Sequence, residues 1–190
     1  MQSAQRLAHI RLEEIADKSM GDVWFCHIDK MDEQRAVCPS EWPMLTTPLF
    51  KLGARLTVGL VGSLWYGCDV VKHHIRTVYD DCRHGADMQA SILTKNFHDA
   101  ATGAQRIPSK WFIGADNTPK ETKNRTILWW ACWMLAILAP TSLSIIGLWF
   151  LIVGHTHNDL DRFFSRLGVA LMGRNYYTRD DLRPAGHSNT

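Results

Sequence analysis

From Thr126 to Gly154 the chain carries no charged residue, and no other stretch constrains the fold as much. As one piece it is long enough for a membrane span, which needs about 20 apolar residues. Pro140, Thr141, Ser142 and Ser144 interrupt it, and proline both removes a backbone donor and stops a helix. The interruption leaves a helix-length run, Ile127 to Ala139, and a strand-length run, Ile145 to Val153. Each is too short to span a bilayer. Both are expected as buried elements of a soluble domain, with a membrane protein as the alternative.

The apolar run ends abruptly in Ile152 to Phe164, IVGHTHNDLDRFF. His155, His157, Asp159 and Asp161 stand together at the carboxyl end of the expected strand, and packing does not account for four such groups. A helix is expected over Asn158 to Met172, with Leu160, Phe163, Phe164, Leu167 and Leu171 as its apolar face.

Upstream, Val23 to Ile28 (VWFCHI) is strongly β-prone and reads as a central strand buried on both faces, with Asp29 at its end. Gln5 to Lys18 reads as a helix with Leu7, Ile10 and Ile15 as its apolar stripe, broken by Met20-Gly21-Asp22. Arg55 to Val71 reads as a strand bent at its glycines, and His74 to Tyr79 as the next strand. A helix is expected over Ala86 to Ala101, ended by Gly103, and a strand over Trp111 to Ala115, ending in Asp116. Lys123 to Leu138 is expected to be helical. This order, strands first and then alternating strand and helix, is that of an α/β protein with a ribonuclease-H-like mixed sheet and flanking helices. Residues 1–21 are expected as an N-terminal helix or linker, 22–175 as a domain of catalytic type and 176–190 as a polar tail.

In that architecture the acids of the site come from the first strand, the fourth strand and a late helix. Asp29, Asp116 and either Asp159 or Asp161 occupy those points. Converging carboxylates hold divalent ions for phosphoryl transfer, and oxygen donors suit Mg2+ or Mn2+. On a helix Asp159 and Asp161 lie about 200° apart, so both cannot face one ion equally, and Asp159, nearer the strand end, is the slightly better ligand. His155 and His157 are candidate ligands, phosphate contacts or general acids. Lys120, Lys123 and Arg125 are candidate contacts to a phosphate backbone. The plainer readings are a strand end for Asp29, a turn for Asp32 and for Asp116-Asn117, a helix cap for Asp159, and surface for His73, His74 and Arg76.

The formal net charge of +2 neither demands nor excludes a nucleic-acid partner. Cys26, Cys38, Cys68, Cys82 and Cys132 form no CxxC pair, which argues against a zinc knuckle or a disulfide framework and fits a reducing compartment.

Three segments together carry a resemblance. Ile28-Asp29-Lys30-Met31-Asp32-Glu33, Asp116 to Asn124 (DNTPKETKN) and Val153 to Asp161 (VGHTHNDLD) resemble the I-D-G-M-D-Q, D-N-x-x-x-E-N-K-N and V-G-H-T-H-E-D-I-D blocks of a eukaryotic domain family of unknown function found in transposon-related proteins. The resemblance covers about residues 22 to 175. Lys30 replaces the family's glycine, and Asn158 replaces a glutamate, removing an acid from the region of the site. The resemblance implies a ribonuclease-H-like core of DDE transposase or integrase type, in the nucleus; the three acid clusters in that order lead to the expectation of DNA cleavage and strand transfer with Mg2+ or Mn2+, with DNA as partner. A homo-oligomer is compatible with it; neither a membrane nor a small-molecule cofactor is implied. The competing readings are a catalytically degenerate mobile-element remnant that binds, and a metallophosphoesterase, whose final metal motif Gly154-His155-Thr156-His157 resembles but whose other motifs are missing from the sequence.

Overall fold

The computed structural model describes residues 2–31, 37–38, 56–57, 59–69, 73–78, 85–150 and 159–172. The elements in chain order are α1 (Gln2–Lys18), β1 (Val23–Lys30), β2 (Val37–Cys38), β3 (Leu56–Thr57), β4 (Gly59–Tyr66), β5 (His73–Val78), α2 (Ala86–Ala104), β6 (Lys110–Ala115), α3 (Arg125–Leu138), β7 (Ile145–Phe150) and α4 (Asp159–Met172). β2 and β3 form a small antiparallel pair, and the other strands form one sheet in the order β5-β4-β1-β6-β7. β5, β4 and β1 are mutually antiparallel, while β6 and β7 run parallel to β1. This is the expected α/β, ribonuclease-H-like mixed sheet.

β1 is central because its apolar run is continuous rather than alternating. Its first six residues are buried, so both sheet faces at β1 must be covered. On one face Trp24, Cys26 and Ile28 join Trp65, Trp111, Ile113, Phe97 of α2 and Trp130 of α3 in the main core. Trp65 stacks on Trp111 with ring centroids 5.8 Å apart, and Phe97 lies 4.5 Å from Trp111. Buried indoles usually find partners for their N–H groups; among the described residues Trp24 Nε1 has none, and three others do. Trp65 Nε1 donates to Ser63 Oγ at 2.9 Å, Trp111 Nε1 to Cys26 Sγ at 3.3 Å and Trp130 Nε1 to Thr94 Oγ1 at 2.9 Å.

The opposite face is covered by two helices. Ala16 and Leu12 of α1 pack on Val23, Phe25 and Phe112, and Leu160 and Phe164 of α4 pack on Leu60 and Met31. The approach of α4 depends on Gly62, where a Cβ would stand 2.8 Å from Phe164 Cζ and 3.0 Å from Leu160 Cδ1.

Several expectations change. The expected stripe of α1 faces solvent: Leu7, Ile10 and Ile15 are exposed. The helix instead presents His9, Leu12, Glu13 and Ala16 inward, where Leu12 and Ala16 meet Val23, Phe25 and Phe112 and His9 meets the buried His27. α2 does not stop at Gly103 but runs to Ala104, where Gln105 takes the left-handed conformation (φ 52) and its N–H reaches the carbonyls of Ala101 and Thr102. α3 is a helix but not a buried one, since Leu128, Trp129, Trp133 and Ile137 are exposed. Arg76 is not a surface cation: it donates to Asn96 Oδ1 at 2.9 Å and pairs with Asp99. Among the described residues no helix is long and apolar enough to cross a membrane.

Candidate functional site

The parallel pairing of β1 and β6 brings two acids together. Ile28 pairs with Ala115, and the next residue on each strand is Asp29 and Asp116. Adjacent strands lie about 4.8 Å apart, so two carboxylates separated by 116 − 29 = 87 residues of sequence become neighbours. Beyond this point the chain diverges, from β1 towards β4 on one side and from β6 towards β7 on the other. Such a switch point opens a crevice at the carboxyl ends of the strands, where α/β sheets bind ligands.

Both carboxylates are oriented by the same local device. Asp29 Oδ1 accepts from the backbone N–H of Lys30 at 2.8 Å, and Asp116 Oδ1 from that of Asn117 at 2.7 Å. Thr118 Oγ1 lies 3.5 Å from Asp116 Oδ2. Both acids are only partly buried, at the ends of their strands.

The segment after Asp116 is pinned rather than loose. The buried Thr122 hydroxyl donates to the carbonyls of Asp116 and Thr118. Asn124 caps α3 by accepting from Ile127 N–H at 3.1 Å, and its Nδ2 donates to Pro119 O at 3.0 Å and Lys120 O at 3.3 Å. Lys120, Lys123 and Arg125 stand exposed on this pinned segment, within nine residues of Asp116 in sequence.

On the other side of Asp29 lies α4. Asp29 pairs with Gly62 across β1 and β4, and Gly62 is the residue against which Leu160 and Phe164 pack. The backbone of the first turn of α4, Asp159 to Asp161, therefore crosses the sheet next to Asp29. The side chains of Asp159 and Asp161, and the whole of Asp32, His155 and His157, lie outside the described residues. Among the described residues no group of three His, Cys, Asp or Glu side chains converges closely enough to hold a metal ion.

Beneath Asp29, on the same face of β1, sits a histidine relay that sequence reasoning missed. His27 is 2% exposed, with its Nδ1 3.2 Å from Nε2 of His9. His9 Nδ1 in turn lies 3.2 Å from Glu13 Oε1. Burial, and secondarily the nearby His9, push the His27 imidazole down to about 3, so it is neutral at physiological pH. The signal was available: His27 alternates with Asp29 along the strand, and His9 and Glu13 are an i, i+4 pair on the face of α1 that carries Leu12 and Ala16. Cys26 alternates to the other face. Burial, opposed by the smaller effect of the Trp111 hydrogen bond, pushes its thiol up to about 12.

No curated protein sequence matches the chain. Among solved structures the chain is similar to the Mos1 transposase paired-end complex with left transposon end, at 14% identity and a TM-score of 0.47, covering 96% of this chain and 52% of that one. It is similar at the same TM-score to the Mos1 strand transfer complex, at 15% identity over 96% and 51% of the two chains, and to the Mos1 mariner paired-end complex with Mn, at 14% identity over 96% and 52%. The chain thus spans about half the length of these solved chains. A family profile matches residues 51–187, a range that contains Asp116, the pinned segment and α4. On that match the chain belongs to the family described as a domain of unknown function, DUF7869.

Proposed function

We propose that this chain is the core of a transposase- or integrase-like enzyme that cleaves a DNA phosphodiester with Mg2+ or Mn2+ and transfers the freed strand. The observation that carries the reading is the juxtaposition of Asp29 and Asp116 at a sheet switch point, with the first turn of α4 beside them. The donor chemistry fits the ions. Carboxylate oxygens are hard ligands, and magnesium keeps several waters, so two or three acids suffice.

Asp29 and Asp116 would be the shared ligands, with Asp159 or Asp161 completing the set from the head of α4. When bound, the metal pair supplies an activated water or hydroxyl and stabilises the leaving oxygen. The chain's own residues do the rest. The amide contacts of Lys30 and Asn117 hold the two carboxylates in fixed orientation, so little reorganisation accompanies reaction. Lys120, Lys123 and Arg125, on a segment pinned by Thr122 and Asn124, position the DNA backbone beside Asp116. His155 and His157, just ahead of α4 in sequence, would bind metal, contact phosphate or donate a proton to the departing oxygen. In cleavage, water adds to phosphorus and the P–O3′ bond breaks, leaving a 3′ hydroxyl. In transfer, that hydroxyl attacks the phosphorus of a second phosphodiester, whose own P–O3′ bond breaks, so that a new 3′ hydroxyl leaves and the two strands are joined 3′ to 5′. A chain with this activity on chromosomal DNA works in the nucleus.

The test is cleavage of plasmid DNA in magnesium by the parent and by Asp29→Asn and Asp116→Ala, with melting temperature as a control for folding. Each variant is expected to lose at least about 100-fold in rate, ~2.7 kcal/mol of barrier. An Asp116→Ala protein that cuts as fast as the parent defeats the reading. Comparing Asp159→Asn with Asp161→Asn then assigns the third acid.

A further inference from the structure

The outward face of α3 carries a cation and two indoles where a solvent-facing helix surface is ordinarily polar throughout. Trp129 is 74% exposed and Trp133 55%. Arg125, the one charged residue of the helix, is exposed at its first position. Residues four apart on a helix lie about 40° round and about 6 Å along from one another, so Arg125, Trp129 and Trp133 form one stripe. Their neighbours on the same arc are the small Cys132 and Ala136. Leu128 and Ile137, also exposed, stand about 180° apart, one on each flank, and border the stripe rather than form its centre.

These rings are not part of the core. Trp130, one position away, turns inward, with its ring centroid 5.9 Å from that of Trp111 and its Nε1 donating to Thr94. Trp129 and Trp133 pair with no other ring among the described residues. Folding leaves two large π-faces in solvent.

The stripe starts at the crevice. α3 takes the chain from the carboxyl end of β6 back to the start of β7, so Arg125 is the end nearest Asp116 and Trp133 lies about 12 Å further along the helix axis. Lys120 and Lys123 stand exposed just ahead of it on the pinned segment. The order along the surface is cations first, then rings. Glu121 is the only carboxylate between Asp116 and α3, and from Thr122 to Gly154 there is none.

Cations pair with phosphates, and aromatic rings stack on unpaired bases; a surface offering both in series holds a single strand without reading its sequence. An apolar protein surface or a bilayer interior would have to desolvate Arg125 in the middle of the contact. We infer that α3 is a platform for single-stranded DNA: a strand leaving the crevice lays its phosphates on Lys123 and Arg125 and stacks successive bases on Trp129 and Trp133. The platform deepens the reading of the crevice as a DNA site and rests on it.

Fluorescence anisotropy of a short labelled oligo(dT), titrated with the whole chain in EDTA, tests the platform apart from cleavage, which needs the divalent ion. The parent is expected to bind, with quenching of tryptophan emission. Trp129→Leu and Trp133→Leu keep apolar bulk and remove the ring. Each is expected to weaken binding about 5- to 150-fold with an unchanged far-UV circular dichroism spectrum, whereas Trp129→Phe retains most of it. Arg125→Gln should make log K against log salt shallower by about 0.7. A parent that cuts plasmid in magnesium but ignores the oligonucleotide overturns the platform and leaves the reading of the crevice standing. Binding that both leucine variants retain also overturns it. So does a parent that ignores the oligonucleotide and instead self-associates or binds lipid vesicles through Trp129.

Discussion

Gly62→Ala is the sharpest probe of how α4 is held beside Asp29. The new methyl carbon would stand 2.8 Å from Phe164 Cζ and 3.0 Å from Leu160 Cδ1. Carbon atoms rest about 3.5–4.0 Å apart, so the helix or its two side chains must withdraw by roughly 1 Å. Both obstructing atoms are side-chain ends and can move, which places the cost in the ordinary overpacking range of about 1–3 kcal/mol. In a chain of this size each kcal/mol lowers the melting temperature by roughly 2–4 °C, so a loss of several degrees is expected by differential scanning calorimetry. Shortening the obstruction with Phe164→Leu in the same protein should restore part of it. Activity should respond more than stability: if α4 contributes the third acid, a displacement of about 1 Å costs on the order of 10²-fold in cleavage. A Gly62→Ala protein that melts with the parent, or whose loss Phe164→Leu leaves untouched, refutes the packing. A destabilised variant with undiminished cleavage refutes the role of α4 in the site.

Three further outcomes follow from the same geometry. His27 titrates at about 3 in the folded chain and near ~6.5 unfolded. The unfolded state therefore binds more protons between these values, and folding stability should fall as pH is lowered through that window; His27→Gln should flatten that part of the melting temperature against pH. Replacing Lys120, Lys123 and Arg125 together by glutamine should make the salt dependence of duplex binding shallower by about 2.7 in log K against log salt if all three contact phosphates; an unchanged slope removes them from the interface. Asn124→Ala removes the α3 cap at a cost of about 1 kcal/mol, seen as roughly 2–4 °C in melting temperature, and also frees the segment that carries those cations.

The elements that announced themselves in the sequence are those whose burial is one-sided in composition. VWFCHI is buried at every position and apolar at all but His27 because β1 is covered on both faces, and its end marked Asp29. The short run before Asp116 was legible for the same reason. α1 was misjudged because its inward face is partly polar: His9 and Glu13 turn towards His27, while Leu7, Ile10 and Ile15 remain exposed. Hydrophobic periodicity finds a face packed on apolar side chains and misses one packed on a buried imidazole. α3 failed in the opposite sense. Its uncharged sequence promised complete burial, but a single sheet can cover only one side of a helix, and the chain's own layers leave Trp129 in solvent. The αL residue at the end of α2 is Gln105 rather than glycine, so the usual stop signal misplaced the boundary at Gly103.

The local exceptions in this sheet are not scattered. Glycine inside a strand weakens it, yet Gly62 pairs with Asp29 and Gly114 pairs with His27. Gly62 admits α4, and a Cβ at Gly114 would stand 3.1 Å from Phe25 Cζ and 3.5 Å from His27 Nδ1. A buried histidine is itself costly unless hydrogen-bonded, and the partner of His27 is supplied by a helix that turns polar residues inward to provide it. Two glycines, a buried imidazole and an inverted helix face thus converge on one pair of positions in β1, from three different segments of chain. Strand propensity alone would have favoured β-branched residues at both glycines, and burial an apolar residue at 27. Departures from local preference that cluster around a carboxylate pair are what the proposed site would impose on its scaffold, and here they surround Asp29 on the α4 side and from beneath, with Asp116 on the third side.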